Sequence, residues 1–130
     1  MSNDLFDEGG EPASRLEITE RHCGDVTVLI LSGEMLVDDG DVALRQRIHS
    51  LIDDGKTKVV IDLAAVAHID SAGVGMIVAK QKTLRDLGGD VKLLHLTSRS
   101  QRLLALMKLA QIFEVFEDED EAVRSFAGGG

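Results

Sequence analysis

The stretch KVVIDLAAVAHIDSAGVG, residues 58–75, decides the fold of this chain. It begins with a β-branched and aliphatic run at 58–63, which predicts a compact buried strand. A short loop follows, and then a helix whose first turn contains Asp, Ser, Ala and Gly. An apolar stripe at helical spacing predicts that this helix covers residues 71–87, and its members are Val74, Ile77, Val78 and Leu84.

The same alternation of strand and helix continues on both sides of this stretch. Upstream, two runs predict an antiparallel hairpin with its turn at Cys23-Gly24-Asp25, and a helix that Gly55 ends follows it. The remaining predicted elements are a strand at 90–96, a helix from Ser98 or Ser100, a strand at 113–116 and a helix at 118–126. The order β-β-α-β-α-β-α-β-α predicts an α/β fold with a mostly parallel sheet, right-handed crossovers and an antiparallel hairpin strand at one edge.

Composition excludes several classes of protein. The 130 residues carry 14 basic and 23 acidic side chains, and this net charge of −9 would repel nucleic acid. No apolar run approaches the roughly 20 residues of a membrane helix, and the N-terminal residues do not resemble a signal peptide. With one cysteine, an internal disulfide is impossible. We therefore expect a soluble, cytoplasmic domain at 15–127, with a flexible leader at 1–14, a flexible tail at 128–130 and no membrane insertion.

The start of the helix at Ser71 is the most informative place in the chain. Asp70 or Ser71 can cap the free amides of the first turn, which also carry the positive end of the helix dipole. Gly73 and Gly75 leave this turn bare, although each glycine costs a helix about 1 kcal/mol relative to alanine. We infer that another molecule approaches the backbone there, since a helix N-terminus with an exposed backbone is a common binding site for a phosphate or another anion.

Three catalytic or ligand-binding interpretations fit the residues poorly. A serine hydrolase would need a base near Ser71, but His68 is only three residues away and His95 has no evident supporting acid. A dinucleotide site would need a third glycine after Gly73 and Gly75. The four histidines (His22, His49, His68 and His95) lack the spacing of metal ligands. We therefore predict no catalytic residues, no cofactor and no metal.

Two further features have ordinary structural explanations. The acidic run at 117–121 precedes the last helix, whose dipole it complements; a basic partner is the alternative. Leu106, Leu109 and Ile112 exceed what one apolar helix face can bury, and we assign them to the core rather than to a contact patch.

The strand–loop–helix stretch resembles the signature of STAS domains, specifically of bacterial anti-sigma factor antagonists. The residues that carry the resemblance are Val59–Leu63 and Ile69–Gly75, supported by Leu31-Ser32-Gly33-Glu34, Leu87-Gly88-Gly89-Asp90 and Phe113-Glu114-Val115-Phe116. The resemblance covers residues 15–127, nearly the whole chain.

The resemblance implies a non-enzymatic switch that regulates transcription. In that family, an anti-sigma factor that is itself a serine kinase phosphorylates the serine after the Asp, which is Ser71 here. The unphosphorylated form binds this kinase and releases a sigma factor, and a metal-dependent serine phosphatase removes the phosphate. The resemblance places the partner-binding residues at Gly33, Glu34, Asp38, Asp39, Asp70, Ala72, Gly73, Val74 and Gly75.

One departure from the family pattern concerns the partner, and one alternative function remains within the family. Many members carry an acidic residue two positions after Glu34, where this chain has Leu36. Asp38 is the candidate to replace it. STAS-like domains also serve as scaffold or adaptor subunits in stress-signalling assemblies and in lipid-transport complexes, and the identity of the partner separates these roles.

Overall fold

The structure is a computed structural model that describes residues 16–35 and 40–128. The elements, numbered here in chain order, are β1 (Leu16–Cys23), β2 (Val26–Met35), α1 (Gly40–Asp53), β3 (Lys58–Ile69), α2 (Ser71–Asp86), β4 (Asp90–Leu94), α3 (Ser98–Leu106), β5 (Val115–Phe116) and α4 (Glu119–Gly128). This order confirms the predicted α/β fold. The leader at 1–14, Leu36, Asp38, Asp39 and the last two residues of the tail lie outside the described residues.

The five strands form one sheet in the order β1-β2-β3-β4-β5. β1 pairs with β2 in antiparallel orientation across a turn in which Gly24 has a φ of 64°. The other neighbouring pairs are parallel. Within the described part of the chain, the hairpin therefore supplies an antiparallel strand at one edge of the sheet, as the sequence predicts.

β3 runs six residues beyond the predicted end at Leu63, so the short loop expected before α2 is wrong. Its pairing with β2 shifts register twice, between Ile30 and Ser32 and between Gly33 and Glu34, and each shift inserts one extra residue into β3. Two bulges of this kind turn the alternating pattern of a strand into a spacing of three. The buried residues of this extension are Leu63, Val66 and Ile69, which explains why the pattern does not indicate a strand.

The sheet separates two apolar cores of unequal size. The larger core lies on the face that α1, α2 and α3 cover, and it includes Leu44, Ile61 and Ile77. The smaller core joins Val28, Val60 and Leu94 to Ala122 of α4 on the other face. Strands in sequential order with crossovers of one hand place their connecting helices on one face, which accounts for this division.

Gly89 fixes how α2 returns to the sheet. A Cβ atom at this position would lie 1.8 Å from the carbonyl oxygen of Thr57, a backbone atom that cannot move aside. The Thr57 carbonyl accepts a hydrogen bond of 3.0 Å from the amide of Asp90, which begins β4. The glycine therefore permits the close approach that aligns β4 with β3.

The assignment of Leu106 to the core is wrong, because 74% of its surface is exposed. Leu109 packs partly against the larger core, and Ile112 is 37% exposed. α3 ends at Leu106 and is only nine residues long, so its buried face is limited to Leu104, Ser100 and the half-buried Leu103.

Candidate functional site

Asp70 is the single residue between the end of β3 and the start of α2, and it caps the helix. Its backbone is extended, with φ −111° and ψ 177°, and its carboxylate accepts a hydrogen bond of 2.9 Å from the amide of Gly73. The Asp70 carbonyl accepts a second hydrogen bond from the amide of Val74 at 3.1 Å. Of the two capping residues that the sequence allows, the structure selects Asp70.

Ser71 is therefore the first residue of the helix and its side chain is exposed. Ala72 and Gly75 are exposed with it, whereas Gly73 and Val74 are buried. The predicted partner-binding residues of the first turn thus divide into an outward set and an inward set. Val74, at 3% exposure, belongs to the core and supports the turn from beneath.

The two glycines of the first turn have different surroundings. A Cβ atom on Gly73 would lie 3.2 Å from both the carbonyl oxygen and the methyl carbon of Met35, so packing against β2 accounts for this glycine. A Cβ atom on Gly75 would meet nothing within 4 Å. No packing contact among the described residues requires Gly75, although it lowers the stability of the helix by about 1 kcal/mol relative to alanine.

The end of β2 lies beside the start of α2. Glu34 pairs with His68, and Met35 pairs with Ile69, the residue before Asp70. Gly33, with a φ of 110°, has a backbone conformation that favours glycine, and it is half-buried like Glu34. The structure therefore brings Gly33 and Glu34 to the same end of the sheet as Asp70–Gly75, where β2 and β3 finish. We call these residues, Gly33, Glu34 and Asp70–Gly75, the α2 surface.

The charges of the α2 surface are mainly acidic. The Glu34 carboxylate lies 3.8 Å from Nε2 of His68. Asp70 adds a second carboxylate at the helix start. At the other end of β2, a hydrogen bond and the charge of Lys58 lower the pKa of Asp25, so this shift belongs to the hairpin turn and not to the α2 surface.

The structure separates Ser71 from a base–acid pair. Nδ1 of His95 lies 3.2 Å from the carboxylate of Asp62, a supporting acid that sequence reasoning missed. Asp62 precedes Ile69 by seven strand residues, about 20 Å along β3. This pair is therefore too far from Ser71 for a catalytic triad.

The described residues form no metal-binding cluster, and the apolar cavity beneath α2 is small. They contain no cluster of three or more histidine, cysteine or acidic side chains able to hold a metal ion. The apolar cavity between α2, α3 and the sheet has about 10 Å³, which is the lower limit for one water molecule. No helix within 40–128 is long and apolar enough to cross a bilayer.

A family model described as "STAS domain" matches residues 17–122 of this chain. The chain belongs to the STAS domain family. The match covers every element from β1 to the first half of α4, and it confirms the resemblance seen in the sequence.

Two similar proteins, both from mycobacteria, are described as anti-sigma factor antagonists. The chain is 29% identical over 116 residues to "Anti-sigma-F factor antagonist RsfB" of Mycobacterium tuberculosis, covering 88% of this chain and 92% of that protein. A crystal structure of an anti-sigma factor antagonist from Mycobacterium paratuberculosis superposes with a TM-score of 0.73 at 25% identity, covering 86% of this chain and 94% of that one.

A further structural neighbour has been solved in two forms. The anti-sigma factor antagonist SpoIIAA in its unphosphorylated form superposes with a TM-score of 0.75 at 20% identity, covering 86% of this chain and 97% of that one. The phosphorylated form, from Bacillus, gives a TM-score of 0.66 over 82% of this chain and 96% of that one, also at 20% identity. At this identity, the comparison establishes the shared fold.

The capping role of Asp70 in this STAS domain predicts a specific pattern of stability. Asp70→Ala removes the acceptor for the Gly73 amide and should lower the free energy of unfolding by about 1 kcal/mol. Asp70→Asn keeps an acceptor oxygen and should stay within a few tenths of a kcal/mol of wild type. Urea unfolding measures both, and equal losses for the two variants would contradict a role based on this hydrogen bond.

Proposed function

We propose that this chain is an anti-sigma factor antagonist whose unphosphorylated α2 surface binds an anti-sigma factor serine kinase, thereby releasing a sigma factor. Phosphorylation of Ser71 by that kinase ends the binding, and a serine phosphatase restores it. The chain is regulatory in this proposal and catalyses no reaction itself. Family membership and the names of the relatives support the antagonist function.

The observation that carries the proposal is the exposure of Ser71 on a helix start that nothing in the described chain covers. A kinase must reach the hydroxyl oxygen, and Ser71 is exposed on the outward side of the turn. Gly75 adds to this, because the space above it is open and the described chain does not need a glycine there. A partner that packs against the backbone of the turn would need both features.

Charge explains how a phosphate at Ser71 would act on binding and not on folding. A phosphoserine carries a charge of about −1.5 to −2 and adds bulk to a surface that already holds Asp70 and Glu34. A partner packed on Ala72 and Gly75 would meet like charge and steric overlap. The helix itself tolerates the phosphate, because the dipole at its N-terminus favours negative charge.

The buried part of the site supports this separation of binding from folding. Val74 and Ile77 anchor α2 in the larger core, and Gly73 packs against Met35. Ser71 takes no part in these contacts, since its side chain faces outward. Modification of Ser71 should therefore leave the packing of α2 intact.

A scaffold or adaptor role within the same family is the alternative. It would use the α2 surface, or another surface, for a partner that is not a kinase, and phosphorylation of Ser71 would not be required. Gly75 is compatible with either role, because it indicates a close contact and not the identity of the partner. Phosphate transfer to Ser71 is what distinguishes them.

The test of the switch uses the serine-kinase anti-sigma factors of the source organism, purified and titrated against the chain one at a time. Ser71→Asp should fold with an unchanged circular dichroism spectrum and lose at least tenfold in affinity, about 1.4 kcal/mol, for the kinase that binds wild type. Ser50→Asp, which places the same charge on an exposed serine of α1, is the matched control and should bind normally. Equal affinity of Ser71→Asp and wild type would eliminate the switch.

The same kinase should transfer phosphate to Ser71 when ATP is present. Peptide mass spectrometry after the reaction should locate the phosphate on Ser71, and Ser71→Ala should remain unmodified. Phosphate on Ser50, Ser98 or Ser100 instead would show that the acceptor is elsewhere. Absence of transfer by a kinase that does bind the chain would favour the adaptor role.

Substitution of Gly75 should change stability and partner binding in opposite directions. Gly75→Ala should raise the free energy of unfolding by up to about 1 kcal/mol, because alanine favours the helix and its methyl group meets no atom of the described chain. The same methyl group should weaken kinase binding roughly tenfold by overpacking the contact. Asp86→Ala, at the far end of α2, is the control, and a stabilised Gly75→Ala with unchanged affinity would contradict the proposed contact.

A further inference from the structure

The charge of the chain is unevenly distributed. Residues 91–113 contain four basic side chains and no acidic one, although the whole chain has a net charge of −9. This segment includes all of α3. α3 carries two of these basic residues, Arg99 and Arg102, and it lies next to the α2 surface because both arginines line a groove with Ile69.

The groove between Ile69 and α3 combines positive charge with apolar surface. It has a volume of about 230 Å³, and its walls are formed by Ile69, Arg99, Arg102, Leu103 and Leu106. Ile69 immediately precedes Asp70, so the groove begins where the α2 surface ends. We call it the α3 groove.

The arginines of the α3 groove differ in their pairing from three other arginines of the described chain. Arg21 pairs with Glu119, Arg47 with Glu20, and Arg85 with Asp90. Within residues 16–35 and 40–128, Arg99 and Arg102 make no ion pair or side-chain hydrogen bond, and both side chains are exposed. Guanidinium groups favour bidentate contacts with carboxylates, so this pair is suited to an acidic ligand.

The apolar side of the groove is also exposed to solvent. Leu106 is 74% exposed, and Leu103 beside it is half-buried. A single exposed leucine is ordinary in a folded protein. Here it lies in one groove with two arginines that lack acidic partners in the described chain, which is the combination of apolar and charged contacts that protein interfaces use.

We propose that the α3 groove docks an acidic segment bearing apolar side chains, contributed by the same anti-sigma factor that binds the α2 surface. The inference rests on the proposed function for the identity of that partner. Carboxylates of the segment pair with Arg99 and Arg102, and a leucine-like side chain packs on Leu103 and Leu106. The groove therefore supplies affinity and partner selection that do not depend on the state of Ser71.

Charge complementarity selects this occupant over a nucleic acid. Two arginines are too few to overcome the repulsion between a phosphate backbone and a chain of net charge −9. An acidic peptide segment needs only a local positive potential, and Arg99 and Arg102, which line the groove, provide it.

The first arm of the test measures affinity for the purified kinase. The double variant Arg99→Glu/Arg102→Glu should lose about tenfold in affinity at low ionic strength, and the loss should shrink as salt is added. Arg124→Glu, an exposed arginine of α4 on the opposite face of the sheet, should bind as wild type does. Leu106→Ser should lose affinity without salt dependence, whereas Leu87→Ser, 53% exposed after α2, should not.

The outcomes separate this inference from the proposed function. If Ser71→Asp loses binding while the arginine variant matches wild type, the switch stands and the α3 groove is not a docking site. If the arginine variant loses binding while Ser71→Asp does not, the groove stands and the phosphorylation switch does not.

The second arm decides the case in which no kinase binds. A synthetic peptide of alternating pairs of glutamate and leucine is titrated into the full isotope-labelled chain, and amide chemical shifts are recorded. Shifts confined to Ile69 and residues 99–106, and lost in Arg99→Glu/Arg102→Glu, support the docking site. The absence of shifts, or shifts elsewhere, would overturn it. Changes at these same amides in a peptide-free Leu5→Ser/Phe6→Ser variant would also overturn it, because the acidic leader would then be the occupant.

Discussion

The close contact between the start of α2 and the end of β2 is the constraint on which the site depends. Gly73 packs against Met35 with only 3.2 Å available for a Cβ atom, and the Asp70 carboxylate holds the Gly73 amide at 2.9 Å. Together these contacts place the first turn of α2 beside Glu34, at the end of the sheet where β2 and β3 finish. The outward side of the turn, with Ser71, Ala72 and Gly75, is thereby presented on a rigid element and not on a mobile loop.

A rigid presentation matters for a switch that acts through binding. The inward residues of the turn carry its stability, and the outward residues carry none of the described packing. A change of charge at Ser71 can therefore alter an interface by several kcal/mol while the helix, whose N-terminal dipole favours anions, keeps its place. The α3 groove extends this surface with the opposite charge, so that one partner would contact an acidic region and a basic region together.

Much of this architecture follows from local patterns in the chain. The spacing of apolar residues predicts the order of strands and helices, because burial on one face imposes a period of 2 or 3.6 residues. The same reasoning fails for the second half of β3, where two bulges give Leu63, Val66 and Ile69 a spacing of three. Bulges depend on pairing with β2, which a local pattern does not contain.

The candidate site shows the same division. The sequence alone predicts that Ser71 lies at the start of a helix whose first turn carries few side chains. Three other features of the molecule depend on tertiary structure. The packing reason for Gly73 and the lack of one for Gly75 depend on the distance to β2. The pairing of His95 with Asp62 joins neighbouring strands. The exposure of Leu106, the last residue of α3, depends on which face of this helix packs on the sheet, the face of Ser100 and Leu104.

The central claim is that the first turn of α2 is a contact surface for a protein partner. Hydrogen–deuterium exchange of the full chain, with and without the kinase that it binds, tests this claim most directly. We expect the peptide that spans residues 70–76 to become protected on binding, while the buried end of α2 and the strands keep their exchange rates. A complex in which this peptide exchanges as fast as in the free chain would contradict the account.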